Sequence, residues 1–180
     1  MGAILRETRY AGCTGVFDHP TIKFARMLDG MKEEHAELRD KLAAIADRAA
    51  EICDGSVPED GLRWMMGRLA ERVRALHEQV ARHARNEDDI LVPTLKLYAE
   101  GDMPALERKA AIMERAAGQF RTFLALTDDC LKTPCREKAG KAAQSLLEAC
   151  ASLKRLFAEE ADTIYPLAEE IIEDIDYLSC

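Results

Sequence analysis

The sequence has no apolar run approaching the ~18 residues of a membrane span, and no N-terminal apolar stretch of the secretory kind. Its six cysteines (Cys13, Cys53, Cys130, Cys135, Cys150 and Cys180) form neither a CxxC pair nor a CxxCH haem attachment. They read as reduced thiols, so the expected compartment is the cytoplasm. Positive charge is short as well: a net charge of −8 argues against a nucleic-acid partner and against an anionic membrane surface. No nucleotide loop, nucleophile or second acid/base group stands out, so a binding protein is favoured over an enzyme. Aromatic residues make up 6% and there are 6 prolines, whereas 48% of residues are hydrophobic, mainly Ala, Leu, Ile and Met. That is a helical composition.

What is present fits one all-α domain, long enough to bury a core. Residues 1–20 read as a lead-in with turn signals, and His19 before Pro20 as a surface residue. Residues 21–180 read as an up-down-up-down four-helix bundle. The first helix, to about Cys53, carries Met27 or Leu28, then Met31, His35, Leu38, Leu42, Ile45, Ala49 and Ile52 on one stripe. After the loop Asp54–Gly61, a second helix runs through His83 to about Ile90, where Pro93 kinks or ends it. Gly101–Pro104 is the next break. A third helix follows to about Leu131, with Met113, Ala117, Phe120 and Leu124 inward. A fourth starts near Arg136 and is interrupted at Pro166, leaving the acidic tail Ile171–Tyr177.

The second helix carries the most informative stretch, His83-x3-Glu87-x5-Pro93. Leu62, Met65, Leu69, Val73, Leu76 and Val80 lead into it at 3–4 spacing, and His83 and Glu87 continue that inward stripe. A bundle core rejects an ionised carboxylate that has no partner, because its desolvation costs several kcal/mol. A metal ion would supply the partner, and imidazole with carboxylate suits iron, manganese or zinc. The stretch also repeats. Residues 86–93 resemble residues 159–166 at an offset of 73, so that Glu160 matches Glu87 and Pro166 matches Pro93. A weaker echo relates Met31–Leu38 to Met113–Phe120, placing Ala117 opposite His35.

These residues resemble the haemerythrin/HHE cation-binding family, whose pattern is a helix-one histidine, His-x3-Glu and a proline in helix two, and the same set again in helices three and four. The first half matches and the second departs from it: the expected histidines fall on Ala117 and Leu156, and only Glu160 remains. In the family the groups hold two bridged irons that bind oxygen or related small molecules. One iron takes the histidines of helices one and two, and both bridging carboxylates touch each iron. The resemblance therefore implies one non-haem metal, iron before zinc or manganese, held by His35, His83, Glu87 and Glu160. Its ligand would be a small diatomic or peroxide. Reversible oxygen carriage, which uses two irons in the family, is disfavoured. A second reading stays open: a metal-free structural or interaction domain, with Ala117 and Leu156 filling the chamber and Glu87 and Glu160 sharing a proton.

Other polar residues have plainer readings. His77 lies about 80° from the stripe centre on a wheel of roughly 100° per residue, and is expected at the surface. Glu33, Glu34, Asp88 and Asp89 read as solvated faces, and Cys150 as a small core residue. Cys130 and Cys135 could pair across their loop, but free thiols are the expectation in a reducing compartment.

Overall fold

Four long amphipathic helices account for the bundle, each burying the stripe its spacing sets out. The computed structural model describes residues 20–98, 104–133 and 135–179. The lead-in up to residue 19, with Cys13 and His19, lies outside them, as do residues 101–103 of the second break and Cys180. Helix α1 (Pro20–Cys53) opens on a proline, whose missing N–H has no partner to lose in a first turn. Its Leu28, Met31, His35, Leu38, Leu42, Ile45, Ala49 and Ile52 are all buried. Helix α2 (Glu59–Asn86) follows a turn at Gly55, whose φ of +80° a side chain would strain.

Pro93 and Pro166 do not stop their helices. Each is preceded by one wider, π-type turn, Glu87–Leu91 in one case and Glu160–Ile164 in the other. The Val92 N–H bonds the carbonyl of Glu87, and the Tyr165 N–H that of Glu160, both five residues back. The extra residue lets the chain pass a proline that would otherwise strike the carbonyl four residues earlier. The helices then continue as α3 (Val92–Tyr98) and α6 (Tyr165–Ser179), so the acidic tail is helical. Between them run α4 (Pro104–Lys132) and α5 (Arg136–Glu159). Helix α1 packs on α2 and α5, and α4 packs on the same two, which closes the ring. No strand occurs among the described residues.

The buried apolar residues fall into two clusters. The larger includes Leu38, Val80, Phe120, Phe123, Leu156 and Phe157. The smaller holds Leu28, Met31, Leu91, Leu95, Ile164, Tyr165, Ala168 and Ile171. Both π-type turns begin at the seam between them. Cys53, Cys130, Cys135 and Cys150 are free thiols, and burial pushes the Cys150 thiol up to about 12. His77 is half-buried instead of facing solvent, its ring 5.6 Å from that of Phe120. The flank it occupies on α2 is the one that packs on α4.

Candidate metal centre

The seam between the two apolar clusters is polar, and His35, His83, Glu87 and Glu160 meet there. All four are buried, with 4%, 1%, 2% and 4% of their surface exposed. Each wide turn begins at its glutamate, so the device that accommodates the proline also sets the depth of the carboxylate. Glu87 Oε1 lies 3.2 Å from His83 Nε2 and 3.6 Å from His35 Nε2. Glu160 Oε2 lies 3.2 Å from the same His35 nitrogen, so the two carboxylates face each other across one imidazole. One ligand atom each from His35, His83 and Glu87 lies within 4.8 Å of the others.

The contacts are close but do not pair as hydrogen bonds. Among the described residues six buried side-chain polar atoms lack a hydrogen-bond partner, and four of them belong here: His35 Nδ1 and Nε2, His83 Nε2 and Glu160 Oε2. Leaving such atoms unsatisfied costs about 1–3 kcal/mol each, so their clustering points to a missing partner. His83 shows which partner fits. Its Nδ1 lies 2.9 Å from Glu34 Oε2, and a carboxylate only accepts, so that nitrogen carries the proton. In the neutral ring Nε2 then presents a lone pair to Glu87, another acceptor. A proton or a metal ion between them resolves the conflict, and a ring held by an outer carboxylate is the usual arrangement of a ligating histidine.

Residues outside the expected set complete the site. Lys109 of α4 is buried, with Nζ 2.8 Å from Glu87 Oε2 and 3.2 Å from Asp88 Oδ1. The Tyr165 hydroxyl donates to Glu87 Oε1 at 3.1 Å. Glu34 and Asp88 are thus partners of site residues, not merely solvated faces. Phe157 roofs the imidazoles, its ring 4.5 Å from that of His35 and 6.0 Å from that of His83. The third-helix residue at this depth is Lys109, not Ala117. Ala117 lines a separate cavity with His77, Val80, Met113 and Phe120. Leu156 is buried one turn before Glu160, as expected.

Burial and charge act against each other at every titratable group. Burial disfavours the charged form of His35, but Glu160 and Glu87 outweigh it and raise its pKa above 6.5. Burial would raise Glu87, yet His35, His83 and Lys109 hold it well below 4.5. Burial lifts Glu160 above 4.5, and the charge of Glu87 adds to that. Burial, with both carboxylates, keeps Tyr165 a phenol.

These directions fix the pH response of the metal-free protein. The Glu87 contribution is present above its unfolded value of 4.5 and is lost as pH falls through its lower folded value. That of His35 is present below 6.5 and is lost as pH rises through its higher folded value. Glu160 also loses stability as pH rises above 4.5. Chemical denaturation across pH should therefore place maximal metal-free stability between 4.5 and 6.5, falling towards pH 8. A curve that keeps rising to pH 8 would show that His35 carries no such proton.

The family model for the Hemerythrin HHE cation binding domain matches residues 26–168, most of the chain and all of the site. No curated protein and no solved structure matches the chain.

Proposed function

The chain belongs to the haemerythrin HHE cation-binding family, and from that premise we propose that it holds one divalent metal ion, iron, through His35, His83, Glu87 and Glu160. The observation that carries this reading is the convergence of unpartnered His35 Nε2 and His83 Nε2 on Glu87 Oε1, with the unpartnered Glu160 Oε2 against the same His35 nitrogen. Two imidazoles with carboxylate oxygen suit Fe(II), with zinc or manganese as poorer fits to the ligand chemistry proposed next. An iron ion bound there would supply open coordination positions for oxygen, nitric oxide or peroxide.

The remaining residues prepare that place. Glu34 fixes the tautomer of His83. Tyr165 and Lys109 hold the two oxygens of Glu87 apart in role, one facing the imidazoles and one facing α4. Phe157 and the flanking apolar clusters keep bulk water out. With both glutamates ionised and Lys109 charged, a divalent ion leaves this inner set one positive charge in excess.

Nitric oxide tests the open position. Added to protein loaded anaerobically with Fe(II), it should change the EPR spectrum in proportion to one iron per chain. Bound iron whose spectrum nitric oxide leaves untouched would contradict the ligand-binding reading.

A metal-free structural role is favoured by one observation: Lys109 already neutralises Glu87. It leaves the lone pair of His83 Nε2 and the orphaned Glu160 Oε2 without a function.

A further inference from the structure

Lysine is almost never fully buried without a partner. The side chain of Lys109 is 8% exposed, and its Nζ contacts Glu87 Oε2 at 2.8 Å. The other oxygen of Glu87 faces the two imidazoles and accepts from Tyr165. The carboxylate therefore already works as a bridge. Oε1 serves the imidazole side, and Oε2 serves a cation that the chain itself supplies.

Helix register gives this cation its place. Across α1 and α2, the Lys41–Gln79 hydrogen bond and the ring contact of His35 with His83 mark one antiparallel register. Across α4 and α5, the ion pair of Arg108 with Glu159 and the Gln119–Glu148 hydrogen bond mark another. That second register sets Lys109 level with Ala158, beside Phe157 and two residues from Leu156. Leu156 precedes Glu160 by four residues, as His83 precedes Glu87. Lys109 follows His35 by 74 residues, and Glu160 follows Glu87 by 73. Lys109 thus stands on α4 where His35 stands on α1, whereas Ala117 lies about two turns further along.

Resting on the single-ion reading above, we infer that the Lys109 ammonium is the chain's own second cation: it holds Glu87 Oε2 where a second metal ion would sit, and so limits the site to one ion. The two missing histidines are then only part of the reason for a single ion. A tethered positive charge repels a second divalent cation, and it occupies the oxygen that cation would need. Lys109 is a specificity-determining residue of the site, acting on the metal through Glu87.

Iron counting on untagged protein, loaded anaerobically with Fe(II) and desalted, tests the inference. The native chain should retain one iron. Lys109→His with Leu156→His should retain two, because an imidazole then stands on each helix facing the free Glu87 oxygen. Ala117→His with Leu156→His should remain at one. Lys109→Met alone should bind its iron at least about tenfold more tightly, since the repelling charge is gone. Lys109→Arg, which keeps the charge, should bind as the native chain does. A native chain with one iron and a Lys109→His/Leu156→His protein also with one overturns this inference alone. So does a Lys109→Met protein with unchanged or weaker affinity, which decides the matter even if the double variant fails to fold. A native chain that retains no iron overturns the metal reading and this inference together.

Discussion

Glu87→Ala is expected to destabilise the metal-free protein by about 3–5 kcal/mol, the range for breaking a buried ion pair from one side. The substitution strands the Lys109 ammonium in a site where its side chain is 8% exposed. It also removes the acceptor of the Tyr165 hydroxyl and the carboxylate that faces both imidazoles. Asp88 limits the loss, because it lies 3.2 Å from the same ammonium, but it is an exposed residue at the rim and a weaker partner. Glu87→Gln keeps the shape and loses the charge, so a smaller loss of the same sign follows. Urea denaturation of protein stripped of metal measures both. A Glu87→Ala protein within about 0.5 kcal/mol of native would mean that Lys109 escapes to water and that the buried pair does not form.

Glu160→Gln should separate metal binding from folding. Glu160 Oε2 has no hydrogen-bond partner, and burial beside Glu87 raises its pKa. Removing its charge from the metal-free protein should therefore leave stability unchanged or higher near pH 7. As a metal ligand, the same group should be costly to lose. Metal affinity should fall by more than the ~10–100-fold typical of losing an outer partner, and the metal-induced rise in melting temperature should shrink with it. Equal metal affinity in native and Glu160→Gln protein would remove Glu160 from the shell. Glu87→Gln cannot serve this purpose, because Lys109 makes that carboxylate necessary to the fold with or without a metal.

The helices, their order and the inward set of His35, His83, Glu87 and Glu160 were legible because a 3–4 apolar stripe names its own buried face. The repeat of Glu87-x5-Pro93 in Glu160-x5-Pro166 gave the depth of both carboxylates. What it did not show was that each proline would be absorbed by a wider turn beginning at the glutamate, since hydrophobic periodicity carries no record of one inserted residue. Lys109 was hidden for a related reason. The offset that pairs His35 with Ala117 exceeds the one that pairs it with Lys109 by eight residues, close to two helical turns. Apolar stripes align almost equally well at either, and only the contact with Glu87 decides between them. A lysine near an apolar stripe reads as a solvated flank until its buried partner, 22 residues away in sequence, is known. Glu34 and Tyr165 meet partners on another helix, His83 and Glu87, which no local pattern in their own segments records.

The central claim is one metal ion per chain, and elemental analysis of untagged protein, both as purified without added metal and after anaerobic loading with Fe(II), addresses it most directly. One tightly held iron per chain, lost in Glu160→Gln and giving no spectrum of a bridged pair, is the predicted result. Two irons per chain with a bridged-pair spectrum, or none retained after loading, would contradict it.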